Sequence, residues 1–93
     1  MELEHLPGGE LVAKGLADLD RGVESTEALL VCIGAERLRA AGIAVPAGPI
    51  HLPEHRLYAS LAANEPDSAH GRFNALVRLL VSFERAVEAG LAR

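Results

Sequence analysis

Aromatic residues are nearly missing from this chain: 93 residues include two Phe, one Tyr and no Trp, 3% in all. A hydrophobic core must therefore be assembled from Leu, Ala, Val and Ile, which each bring less area than a ring. Cysteine occurs once, which excludes an internal disulfide. Cys32 lies within Leu29-Leu30-Val31-Cys32-Ile33 and reads as a small buried hydrophobe. Long apolar runs are absent too. The longest, Ala28 to Ala35, is far short of the roughly 18 residues that a membrane span needs. Nor is there a basic cluster: the nine basic residues, eight Arg and Lys14, are scattered, and the formal charge is -4 with a pI near 5.5. The electrostatic footprint of a nucleic-acid or anionic-membrane binder is missing. The opening Met1-Glu2-Leu3-Glu4-His5 carries acids where a signal peptide carries bases, which predicts a cytoplasmic protein.

What the chain does have is hydrophobic surface, 49% of its residues. Most telling is the last third, where Ala69, Phe73, Leu76, Leu80, Phe83 and Val87 recur at spacings of 4, 3, 4, 3, 4. That rhythm predicts one long helix over 67–91 with a continuous apolar seam. Val77, Leu79, Val81 and Leu91 widen the seam beyond the ~100° stripe of an ordinary surface helix. A single domain of this size buries only somewhat more than ~60% of the surface its unfolded chain exposes. A second subunit covering the surplus would add roughly 25 cal/mol per Å² of apolar surface. The expectation is a homo-oligomer, a dimer in the first instance, with Phe73, Leu76, Leu80, Phe83 and Val87 at the interface. Arg72 and Glu84, on the two borders of the seam, are candidates for an ion pair across an antiparallel pair of helices. Arg72 can equally lay its methylenes over apolar surface with its head in water.

The rest of the chain divides at its breakers. Residues 1–9 form a lead-in ending in Pro7-Gly8-Gly9, and residues 10–93 form one helical domain. A first helix is predicted from Glu10, with Leu11, Val12, Leu16 and Leu19 inward and Lys14, Asp18 and Asp20 outward, ending before Gly22. Gly15 is either a weak point or a place of close packing. Ser25 or Thr26 is suited to cap a second helix with Glu27 in its first turn. Its run Ala28 to Ile33 is apolar nearly all round, which predicts the most deeply buried helix. Gly34 favours a break before Ala35-Glu36-Arg37-Leu38, and Gly42-Ile43 a stop. Pro46, Gly48 and Pro49 disfavour helix in the connection from Ile43 to Leu52. Pro53 suits the first position of a further helix to about Ala63 that buries Leu57, Leu61 and part of Tyr58, and Asp67 or Ser68 is placed to cap the last helix. The fold class is thus all-α, a small bundle of four to five helices with a long C-terminal one.

Chemistry has few footholds. His51, His55 and His70, with Glu54 and Asp67 near them, have the donor types for zinc, but Pro53 places His51 outside the helix that carries His55, so the pair lacks the helical metal-site spacing. Solvated loop and cap histidines are the commoner reading. Ser25, Ser60, Ser68 and Ser82 lack a nucleophile-elbow context, and the glycines form neither a phosphate loop nor a dinucleotide fingerprint. Glu84 and Glu88 read as a solvated helix edge. No cofactor is expected, and an enzyme is disfavoured. A helix-turn-helix over 26–42 is the alternative from another class, with Arg37 and Arg39 reaching DNA, although its second helix, Ala35 to Ala41, holds no Asn, Gln, Ser or Thr to read bases. The preferred reading is a small helical protein-interaction module that associates with itself, and with an unidentified protein partner as a further option.

Overall fold

Beyond its first turn, the helix Thr26–Ile33 is apolar on every side, and the rest of the chain is built around it. The computed structural model describes residues 3–46 and 50–90. A 3-10 turn at Leu3–His5 is followed by α1 (Gly9–Asp20), α2 (Thr26–Ile33), α3 (Ala35–Ala40), α4 (Pro53–Asn64) and α5 (Ala69–Glu88). Among the described residues 72% are helical and none is in a strand, so the fold is all-α. α1, α4 and α5 all pack on α2, and α4 also packs on α5. Ala28, Leu29, Leu30 and Val31 are consequently at most 2% exposed. They meet Val12 of α1, Leu38 of α3, Leu57 and Leu61 of α4, and Leu80, Phe83 and Val87 of α5 in one core. With so few rings available, Phe83 is the largest fully buried side chain.

Local signals set most helix ends. Gly22 and Gly42 adopt positive φ, 71° and 95°, a conformation that costs glycine nothing. Each closes a Schellman motif: Val23 donates to the Asp18 carbonyl at 2.8 Å after α1, and Ile43 to the Leu38 carbonyl at 2.9 Å after α3. Ser25 caps α2, its hydroxyl accepting from the Ala28 N–H at 3.1 Å. The helix does break at Gly34, which alone separates α2 from α3. Pro53 opens α4 as expected, behind Leu52, whose φ of 52° is the one positive value at a non-glycine among the described residues. Gly48 and Pro49 of the preceding connection lie outside the described residues.

Two expectations require correction. Asp18 does not face water: it is 1% exposed. The buried side of α1 runs through Gly9, Val12, Gly15 and Asp18 at every third residue, while Leu11, Leu16 and Leu19 are half-buried. The cause is the closeness of α1 to α2 at Gly15, where a Cβ would collide with the Glu27 carbonyl and come within 2.5 Å of a Val31 methyl. With the helices so near, the small residues take the inner line. α5 covers its whole apolar period from Ala69 to Val87 but is shorter than the predicted helix over 67–91, beginning at Ala69 and ending at Glu88. Ser68 holds the capping position, but its hydroxyl is turned to the Glu65 carboxylate at 2.9 Å and does not cap. Leu91 lies outside the described residues.

Candidate functional site

α5 is the longest helix and the one with apolar residues to spare, so its surroundings decide what the molecule can do. Packing on α2 takes Leu80, Phe83 and Val87 into the protomer's own core, at 3%, 0% and 8% exposure. Phe73 and Leu76 are half-buried against it, with Phe73 also beside the Tyr58 ring at 5.6 Å. The seam assigned to a partner from its periodicity is thus largely occupied by the chain itself. Val77 and Val81 on one border are half-buried, and Leu79 on the other is 41% exposed.

Along the Val77–Val81 border runs a groove of about 530 Å³, lined by Ile33, Gly34, Glu36, Arg37, Val77, Leu80, Val81 and Glu84. One wall is α5 and the other is the joint between α2 and α3. Gly34 makes this possible, because a Cβ there would stand 2.7 Å from Glu84 Oε2 and 3.1 Å from both Leu80 methyls. The carboxylates of Glu84 and Glu88 therefore come up beside α3. Arg37 bridges them: Nε and Nη2 donate to Glu88 at 2.7 and 2.8 Å, and Nη1 donates to Glu84 Oε1 at 3.3 Å. The solvated helix edge expected for Glu84 is not found, since this residue is only 4% exposed. Burial pushes its carboxyl above the ordinary value, Arg37 opposes the rise and Glu88 adds to it. Glu88 behaves oppositely, its carboxyl lowered by the hydrogen bonds from Arg37.

The other singled-out residues are scattered. Arg72 and Glu84 do not need each other, because Arg72 pairs with Glu65 at 3.2 Å and Glu84 with Arg37. Arg39 donates to the carbonyls of Val45 and Pro46 at 3.2–3.4 Å, so it and Arg37 are both engaged within the fold. One residue joins α2 to α3, and α3 has 6 residues, whereas a helix-turn-helix needs a turn of roughly three to four residues and a recognition helix that stands clear. His51 and His55 are exposed, and His70 lies 3.2 Å from Asn74 Nδ2 and edge-on to Tyr58. No group of three or more His, Cys, Asp or Glu among the described residues could hold a metal ion. Cys32 is half-buried rather than sealed, with its thiol raised by that burial.

Two arrangements are missing from the sequence reading. One is the Glu84–Arg37–Glu88 bridge, which joins residues 47 and 51 apart. The other is the Asp18 cluster. Lys14 Nζ donates to Asp18 at 2.7 Å, and Arg21 and Ser25 Oγ donate to the same carboxylate. Lys14, then Ser25, hold that carboxyl far below its usual range. A spacing clue to it existed in Lys14, Asp18 and Arg21, four and three residues apart on α1. Among the described residues, no helix is long and apolar enough to cross a membrane. Compared with known proteins, the chain matches no family model, no curated protein and no solved structure.

Proposed function

We propose that this chain is a small helical protein-interaction module that pairs with a second copy of itself along α5. The observation that carries this reading is the aliphatic border left once the core is filled: Val77 and Val81, half-open beside Ile33 in a groove. Charge supports a second copy as the occupant. The groove is lined by two acids, Glu36 and Glu84, and by Arg37, which is held by Glu84 and Glu88, while Arg78, exposed one residue after Val77, has no ion-pair partner among the described residues. A second α5 delivers both aliphatic cover and a cation.

Size sets the strength. Stable interfaces cover about 800 Å² on each partner, and one border of one helix falls well below that. Association is therefore expected at a Kd of roughly 0.1 mM, about -5.5 kcal/mol. Sedimentation equilibrium from about 10 µM to about 1 mM covers that range. Val81→Glu, which places a charge on a half-open position and spares the core, abolishes the dimer while helical circular dichroism is retained. A native protein that stays monomeric throughout overturns the proposal.

A further inference from the structure

Glu84 is an acid short of donors. Its Oε1 receives a single 3.3 Å bond from Arg37, whose two shorter bonds go to Glu88, and no described residue donates to Oε2. Yet no fully buried side-chain oxygen in the described residues lacks a partner, so Oε2 keeps some open surface, and it lies next to Gly34, which lines the groove together with Glu84. Around it the wall is aliphatic, with Ile33, Val77, Leu80 and Val81. The charged residues that line the groove are Glu36, Arg37 and Glu84, a balance of one negative charge, and Glu88 beside it is offset by Arg37 and Arg85. A neutral apolar molecule would cover the wall and leave the carboxylate further desolvated without a donor, which is unfavourable. An anion would meet the wrong field. A divalent metal lacks ligands, because no three candidate donors converge.

We infer that this groove binds a small aliphatic ammonium ion, its head donating to Glu84 Oε2 and its hydrocarbon tail lying along Ile33, Val77 and Val81. An ammonium is a compact charge with three donors, suited to an acid whose neighbouring guanidinium is already committed. The groove volume of about 530 Å³ lies in the range of small-molecule sites, roughly 300–1,000 Å³, in which an apolar lining is combined with a few polar groups that fix orientation. Gly34 keeps the head-group end open, since a methyl there would stand against Glu84 Oε2. All of these residues belong to one protomer, so the site is complete without self-association.

The test titrates n-hexylammonium, methylammonium, hexan-1-ol and hexanoate into the protein at a concentration where sedimentation shows only monomer. Methyl chemical shifts of Ile33, Val77, Leu80 and Val81 provide the readout. Hexylammonium is expected to give saturable shifts with an affinity at least about tenfold above that of methylammonium or hexanol, and hexanoate none. Glu84→Gln keeps an oxygen for Arg37 and reduces hexylammonium to the level of hexanol. Gly34→Ala weakens binding as well. Equal affinities for hexylammonium and hexanol, or shifts that never saturate, overturn the inference, and the comparison of probes on the native protein decides this even if a variant fails to fold. The ammonium and a second copy use the same Val77–Val81 wall and so exclude one another, but each can fail alone, because self-association is read from mass and ammonium binding from shifts of the monomer.

Discussion

Two carboxylates are buried among the described residues, and the protein treats them in opposite ways. Asp18, where α1 turns into α2, receives donors from Lys14, Arg21 and Ser25, and its carboxyl is held low. Glu84, where α5 passes the α2–α3 joint, receives one long bond and its carboxyl is pushed up. Their exposures, 1% and 4%, are nearly the same. What differs is the supply of hydrogen-bond donors, which decides whether burial of a charge is compensated. Ser25 shows how the first site is integrated: its hydroxyl donates to Asp18 and accepts from the first turn of α2, so one side chain ties the end of a helix to the start of the next. The Glu84 site has no such second tie and opens onto a groove. We read the first as structural and the second as the place where a ligand or partner completes the bonding.

Each site also has a glycine beside it, and the two are not equivalent. A methyl at Gly15 would meet the backbone carbonyl of Glu27 and a buried Val31 methyl, while one at Gly34 would meet the ends of the Glu84 and Leu80 side chains. Backbone cannot step aside, whereas side-chain ends can. Gly15→Ala is therefore the largest effect expected here, a loss near 3 kcal/mol from forced separation of α1 and α2, at the upper end of the range of about 1–3 for overpacking. Gly34→Ala should lose less than about 1 kcal/mol, some of it offset by the better helix propensity of Ala. Urea denaturation of the two variants side by side gives the ratio. Equal losses would mean that the α2–α3 joint is as rigid as the α1–α2 crossing.

Much of this architecture is legible in residue order, and the limit is physical. Gly22, Ser25, Gly42 and Pro53 act on backbone within a few residues of themselves, so their positions place helix ends directly. The spacing of apolar residues in α5 likewise shows that a stripe will leave water. It does not say what covers that stripe, because Leu80, Phe83 and Val87 are buried equally well by α2 or by a second copy. Long-range ion pairs are hidden for the same reason: nothing near Glu84 in the chain announces Arg37. The burial of Asp18 is hidden for a different reason, since hydrophobicity marks Leu11, Leu16 and Leu19 as the inner face while the close approach of α1 to α2 at Gly15 turns the Gly9–Val12–Gly15–Asp18 line inward.

Asp18 offers the next largest effect. Its folded carboxyl lies below its ordinary value of 3.8, so the stability it contributes is present in full above that value and is lost as pH falls from about 4 toward the folded value. Glu88, lowered by Arg37, works in the same direction. Asp18→Asn is expected to lower the melting temperature at neutral pH by less than Gly15→Ala and to flatten the acid limb of the stability profile. Melting followed by circular dichroism between about pH 7 and about pH 2.5 checks both. An acid limb unchanged in the variant would remove Asp18 from its cause.

Glu84 should respond least, and with the opposite sign. Because burial raises its folded carboxyl above the ordinary 4.5, the folded state holds that proton more tightly than the unfolded chain, and this contribution to stability grows as pH falls through the folded value. At neutral pH the ionised form is the less favourable one in the fold. Glu84→Gln removes that charge while keeping an oxygen for Arg37, so it should change stability by no more than about 1 kcal/mol at pH 7, with partial solvent screening keeping the figure small, and in the stabilising direction. The gain should shrink as pH falls toward the raised folded value. A clear loss at neutral pH would instead make Glu84 a structural acid like Asp18, and the contrast between the two helix joints would disappear.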